Sequence, residues 1–444
     1  MQLSVRRFMA RFAVALPAGL VSGAVVGADV NYDEAKVPAY TLPDPLVAAN
    51  GRPIRTADEW TGQRRAEILR LFSAHVYGQM PPMPESMNFE VVDSDASPAP
   101  PSGRRKIVLA RFGNHADAPR VHIDMVLPRT AKRPLPVFVG LHLFDRKAAE
   151  IIPGKLLADE VTEEARRDPA VAKLLAELPG ERIFETILER GYAIATLDAA
   201  EIAPDDPKHY RERVMRLYTS HDASGRPADE CAAIGTWAWM LSRALDYFET
   251  DSEIDARRVI AIGHSRMGKT ALWAGACDER FALVVSNNSG CGGAALSKRR
   301  FGETVRMIND RFPHWFCEAF RGYSDREEQL PVDQHMLIAL LAPRPVYIAS
   351  AVEDGWADPR GEFLAAVGAD PVYRLLGRPG LGDVAPCGSG TSSASRPTNG
   401  TRELPPLNQP MGESIGYHVR SGKHALSDYD WLRYLDFADR HLGR

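Results

Sequence analysis

Residues 258–272, RVIAIGHSRMGKTAL, set Gly263, His264, Ser265, Arg266, Met267, Gly268, Lys269 and Thr270 between a strand pattern and a helix pattern. Two kinds of chemistry compete for that turn. Read as GxxxxGKT, it is a loop whose backbone N–H groups and lysine cradle the phosphates of a nucleotide. Read as an approximate GxSxG, it is a strained strand-to-helix turn that lifts the Ser265 hydroxyl above a sheet as a nucleophile. The phosphate-loop pattern matches letter for letter, whereas the second glycine of the serine turn comes one residue late, at Gly268. Context favours the serine. The turn lies past the middle of the chain, several strand patterns precede it, and a serine hydrolase needs an acid and then a histidine further on.

Both follow. The stretch ASAVEDGWADP offers Glu353, Asp354 and Asp358 just after a strand pattern. A general base must sit within hydrogen-bond reach of the nucleophile and be oriented by an acid. His424 has suitable surroundings, in the loop SGKHAL shortly before the last helix pattern; His221, His314, His335 and His418 compete for the role.

These groups must be carried by a rigid frame. Helical apolar spacing runs over 64–77, strand patterns cover 106–112, 121–127, 135–141 and 192–197, and a helix apolar over most of its circumference spans 230–250. After the strand at 259–262 come a helix at 269–276 and strands at 283–286 and 345–351, with a closing helix at 429–441. Alternating strands and helices predict an α/β-hydrolase fold, a mostly parallel central sheet in a three-layer α/β/α sandwich. Residues 29–444 are expected to form one catalytic domain, with a Gly/Pro/Ser-rich loop at 377–411. Arg6, Arg7 and Arg11 precede an apolar stretch that ends in Val26, Gly27 and Ala28, the pattern of a signal peptide over 1–28. Export, periplasmic or secreted, follows, with no stable membrane insertion afterwards. It also counts against a nucleotide, since an exported protein meets little ATP.

A net charge of −4 gives no electrostatic footprint for nucleic acid. Five cysteines, Cys231, Cys277, Cys291, Cys317 and Cys387, include no CxxC pair, so a structural zinc site is not expected and at most two disulfides can form. No cofactor is implied, and a monomer is expected.

Several ordered stretches resemble the glucuronoyl esterases, carbohydrate esterase family fifteen, of the bacterial type. They are GHSRMGKTAL, DECAAIGTWAWMLSRALDY, NNSGCGGAALSKRRFGET, HWFCEAF, APRPVYIASAVEDGWADPRGEF and IGYHVRSGKHALSDYDWLRYLDFADRHL, together most of the chain from Glu230 onward. The resemblance implies hydrolysis of esters of glucuronic acid or its 4-O-methyl form, as in lignin–carbohydrate linkages of glucuronoxylan. It implies Ser265 as nucleophile, His424 as base, Arg266 beside the oxyanion, and Lys269, Glu303 and Trp356 around the sugar. Where many members carry a glutamate before the SG of the segment after the next strand, this chain has Asn288, so the acid must come from elsewhere. Asp354 matches the acid of some bacterial members and is the choice here, with Asp358 in reserve. GLHLFDR also departs from the family's GLNF stretch, which puts the pocket around His142 and Asp145 in question. The rival readings are an acetyl xylan esterase or other carbohydrate esterase, a nucleotide-binding protein using Lys269 and Thr270, and an inactive carbohydrate-binding relative.

Overall fold

The computed structural model describes residues 30–94, 101–115, 117–142, 181–218, 226–382 and 403–443. The expected signal peptide, Asp145, His221, Cys387 and positions 383–402 of the low-complexity stretch lie outside these residues.

Among the described residues nine strands form one sheet: β1 (Asn88–Ser94), β2 (Gly103–Arg111), β3 (Arg120–Pro128), β4 (Leu135–His142), β5 (Ala193–Asp198), β6 (Ile254–His264), β7 (Leu283–Asn287), β8 (Val346–Ala351) and β9 (Ile415–Arg420). Their spatial order is β1-β2-β3-β5-β4-β6-β7-β8-β9. The pairings β1–β2, β2–β3 and β3–β5 are antiparallel, and every pairing from β5 through β4, β6, β7 and β8 to β9 is parallel. The parallel strands read as continuous apolar runs because both faces are covered. In β4, Leu135 to Val139 are all buried, and so is every residue of β7 and β8.

The helices that matter here are α1 (Arg65–Phe72), α2 (Glu181–Glu189), α3 (Ala199–Ile202), α4 (Ala233–Phe248), α5 (Arg266–Cys277), α6 (Val305–Arg311), α7 (Gln334–Ala339), α8 (Pro359–Leu375) and α9 (Asp428–Leu442). Helices α2 and α9 cover one face, where Ile183, Ile187, Trp431, Tyr434 and Leu435 pack with Phe138, Ile260, Ile262, Val285 and Tyr347. Helices α4, α5, α7 and α8 cover the other, joined in one core with Val139, Ala261, Val284 and Ile348. This is the three-layer α/β-hydrolase architecture.

Differences from the sequence reading have local causes. The helix expected over 64–77 is regular only in α1, with wider turns at Trp60–Arg64 and Ser73–Tyr77. It stops at Gly78, where φ is +86° and a Cβ would lie 2.5 Å from the Glu230 carbonyl oxygen. Strand β6 begins five residues before the apolar run, at Ile254, because its polar start Asp255–Arg258 still continues the strand. Strand β9 went unread because IGYHVR mixes glycine, histidine and arginine, yet all six residues are buried.

Candidate active site

Strand β6 hands over directly to α5, and Ser265 is the single residue between them, with φ +58° and ψ −127°. Such a backbone is costly for a non-glycine residue and makes this a strained turn. Gly263 makes it possible: a Cβ there would stand 2.0 Å from the Met267 carbonyl oxygen. The late glycine also has a purpose, since a Cβ at Gly268 would press to 3.0 Å on Ser286 and Ser289 at the adjacent strand end. The Ser265 N–H donates to the Asn287 carbonyl at 2.9 Å, pinning the turn to β7. No side-chain cap covers the N–H groups that open α5, so the positive end of the helix dipole faces the serine.

His424 lies in the loop between β9 and α9, and its Nδ1 is 2.6 Å from Asp354 Oδ2. Arg420 shapes this loop, donating to the carbonyls of Ser421, Lys423 and Ala425 and, through Nε, to Asp430. Asp354 follows β8, and its loop is tied to the histidine loop by the Glu353 N–H, which donates to the Gly422 carbonyl at 3.1 Å. Burial opposes the Asp354 charge, but the hydrogen bond and charge of His424 and the Asn288 amide outweigh it and hold the carboxyl below its ordinary range. Asn288 donates its Nδ2 to Asp354, one strand over, at 3.0 Å.

His264, beside the serine, has its ring centroid 4.5 Å from that of His424, which sets His424 against the turn. Asn287 Nδ2 donates to Tyr434, so its Oδ1 receives the proton of His264 Nδ1 at 2.6 Å. Burial and the nearby His424 push His264 down to about 3, so it stays neutral.

The other candidates fall into distinct places. Asp358, at φ +53°, caps α8 through the Gly361 N–H and pairs with Arg299 at 2.8 Å rather than with His424. Glu353 is exposed. His335 meets the Pro43 carbonyl, His418 is enclosed by Asp430 and Tyr347, and His314 bonds Asp205. His142 ends β4 opposite Asp198.

Lys269, Glu303 and Trp356 form one wall. The Lys269 ammonium donates to the carbonyls of Ser289 and Cys291 at 2.5 and 2.6 Å and lies 3.9 Å from Glu303. The Glu303 N–H donates to the Trp356 carbonyl at 2.9 Å. Burial pushes Lys269 down and Glu303 up, and each partner's charge only partly restores the other. With its ammonium held by carbonyls and Thr270 fully buried and bonded to the Arg266 carbonyl, the turn has no phosphate cradle; the GxxxxGKT match is a coincidence of letters. The wall continues into the N-terminal segment: the Asn31 carbonyl accepts from Gly302, Glu34 pairs with Arg299 and Arg360, and half-exposed Tyr32 lies edge-on to Phe301.

Sequence reasoning missed Asp205, which pairs with the Arg266 guanidinium and accepts from His314 Nε2 and Trp315 Nε1. HWFCEAF was visible as a motif, but nothing in IAPDDPKHY marks Asp205 among the surface acids.

The sheet order, the positive-φ residue at the end of a central strand and the histidine–carboxylate pair after the last two strands define an α/β hydrolase. A family model described as glucuronyl esterase, fungi, matches residues 162–377. Carbohydrate esterase MZ0003 of an unknown prokaryotic organism is 43% identical over 420 residues, 93% of this chain and 92% of that protein. Two solved structures agree: a promiscuous family 15 esterase from a marine bacterial metagenome (43% identity, TM-score 0.76, 93% of this chain and 100% of that one) and a glucuronoyl esterase from Solibacter usitatus (39%, 0.78, 92% and 100%). The chain belongs to carbohydrate esterase family 15, the glucuronoyl esterases, and is a carboxylic ester hydrolase.

Proposed function

We propose that this esterase cleaves esters of glucuronic acid or its 4-O-methyl form, as found where glucuronoxylan is joined to lignin alcohols, through an acyl-enzyme on Ser265. The observation that carries the mechanism is the 2.6 Å bond from His424 Nδ1 to Asp354. It fixes the proton on Nδ1 and leaves Nε2 to take the Ser265 proton. The serine oxygen attacks the uronoyl carbonyl, His424 returns the proton to the leaving alcohol, and water then repeats the sequence on the acyl-enzyme. The start of α5 and Arg266 meet the oxyanion. Lys269 and Glu303 supply donors and acceptors for ring hydroxyls and Trp356 an apolar ring face, a set suited to a sugar acid. Similarity to the Solibacter usitatus glucuronoyl esterase supports this substrate, and similarity to a promiscuous marine esterase supports tolerance of other esters.

The enzyme acts as a single-domain monomer without metal, exported to the periplasm or beyond; Arg6, Arg7 and the apolar stretch to Ala28 support export. Among the described residues no helix is long and apolar enough to cross a membrane. The test is turnover of benzyl glucuronate by the protein lacking residues 1–28 beside its Ser265→Ala variant. Turnover that vanishes in the variant is expected. Equal rates in both would remove Ser265 as nucleophile, and turnover of acetylated xylan alone would replace the substrate.

A further inference from the structure

Arg266 is the side chain next to the nucleophile, and a long, flexible guanidinium helps an oxyanion only if it is held in place before charge develops. Here it is held on two sides. Asp205, in the loop after α3, pairs through Oδ2 with Arg266 Nη1, while its Oδ1 accepts from His314 Nε2 at 2.8 Å and from Trp315 Nε1 at 2.7 Å. Trp315 then serves twice: its indole fixes the carboxylate, and its ring lies 4.5 Å under the guanidinium carbon. Phe312 stacks on Trp315 at 3.7 Å and 1° and lies 5.2 Å from the same guanidinium, so the plate that Arg266 rests on is itself rigid. The Asp205 charge is secure: burial pushes its carboxyl up, but His314, Arg266 and Trp315 together hold it below its ordinary range.

The pairing is one-sided. Asp205 engages only Nη1, and no hydrogen bond from Nε or Nη2 to another described residue accompanies it, so the fork keeps donors for a second anion. A bidentate carboxylate would have taken two of the five N–H groups and closed one edge of the fork.

We propose that Asp205 is a positioning residue for Arg266: with His314 and Trp315 it locks the guanidinium on the Phe312–Trp315 plate so that its remaining N–H groups meet the oxyanion formed at Ser265. This rests on the proposed role of Arg266, and the test separates the two.

Steady-state kcat and KM on benzyl glucuronate are measured for the parent, Arg266→Ala, Asp205→Asn and the double variant, with melting temperatures alongside. Arg266→Ala should lower kcat by about 100-fold. Asp205→Asn, which keeps an acceptor for His314 and Trp315 and loses the charge, should lower kcat by roughly 10-fold with KM within about twofold. The double variant should be no slower than Arg266→Ala alone, since coupled residues are not additive. A parent-like kcat in folded Asp205→Asn, or full additivity in the double variant, overturns the positioning role while leaving Arg266 intact. A parent-like kcat in Arg266→Ala overturns both. If Asp205→Asn does not fold, Trp315→Phe, which keeps the plate and removes the donor to Asp205, reads the same question: a several-fold loss of kcat supports the role and an unchanged kcat overturns it.

Discussion

Glu362→Gln is expected to flatten the pH dependence of stability. Glu362 is completely buried under the loop that follows β7: its Oε1 accepts from the Ser289 and Gly290 N–H groups at 2.8 and 3.0 Å, and its Oε2 lies 2.6 Å from Ser350 Oγ. Burial pushes the carboxyl up to about 8, with the Asp354 charge adding to it and the Ser350, Gly290 and Ser289 hydrogen bonds pulling back. The surroundings suit the protonated form. Ser350 Oγ donates to Oε2 and accepts from Tyr417, which also lies 3.0 Å from the Pro359 carbonyl; with a proton on Oε2 the Ser350 hydroxyl turns to accept it. Between the ordinary 4.5 and about 8 the native state keeps a proton that the unfolded chain has released. Stability from this group is therefore full below pH 4.5 and lost as pH rises toward 8. The slope is about 1.4 kcal/mol per pH unit, on the order of 4–5 kcal/mol across the window, a large share of a typical 5–15 kcal/mol total. Glutamine reproduces the neutral acid, with Oε1 accepting from the loop and Nε2 donating to Ser350. Urea unfolding of both proteins at pH 5, 6.5 and 8 isolates Glu362, because every other group titrates alike in the pair. The curves should lie close together at pH 5 and diverge in favour of glutamine by pH 8. Parallel loss of stability, or a glutamine variant weaker by more than about 2 kcal/mol at every pH, would refute the reasoning.

Asp354→Asn should lower kcat about 10³–10⁴-fold by removing the group that orients the imidazole and stabilises its cation, whereas Asp358→Asn should keep kcat and lose about 3 kcal/mol of unfolding free energy through the Arg299 pair; kinetics and urea titration on both variants reveal a reversed assignment at once. In Gly263→Ala the added methyl at 2.0 Å from the Met267 carbonyl oxygen must push the serine turn out of shape, so activity should vanish and stability fall by about 3 kcal/mol or more; an active alanine variant would show that the turn is softer than drawn. Trp356→Ala should raise KM for benzyl glucuronate by about tenfold with kcat little changed, as for a binding surface used equally before and during reaction; an unchanged KM would remove Trp356 from the sugar wall.

The turn at Ser265 and the continuously apolar strands were legible because each depends on a short stretch with its own period or turn chemistry. Which of Asp354 and Asp358 meets His424 was not legible from the residues alone. The two stand four positions apart in one loop, and what separates them is distant: His424 lies 70 positions from Asp354, Arg299 lies 59 from Asp358. Asp205 was illegible for the same reason, its partners lying 61, 109 and 110 positions away. Asn288 could be read as a missing acid but not as a donor to Asp354, since that needs the register that brings β7 beside β8. Local pattern fixes which residues sit at the sheet's carboxyl edge; packing decides which of them touch.

The segment from Asn31 to Glu34 gives the chain's early residues an unexpected share in the site. It binds the backbone at Gly302, one residue before Glu303, and its glutamate shares Arg299 with Asp358, the cap of α8. Tyr32 leans on Phe301 while its ring sits within about van der Waals range of where a Cβ on Gly355 would stand, one residue from the proposed triad acid. A chain cut after Glu34 would therefore retain Ser265, His424 and Asp354 yet lose the braces on Gly302, Arg299 and the loop at Gly355, so the early residues hold from outside what the sheet holds from beneath.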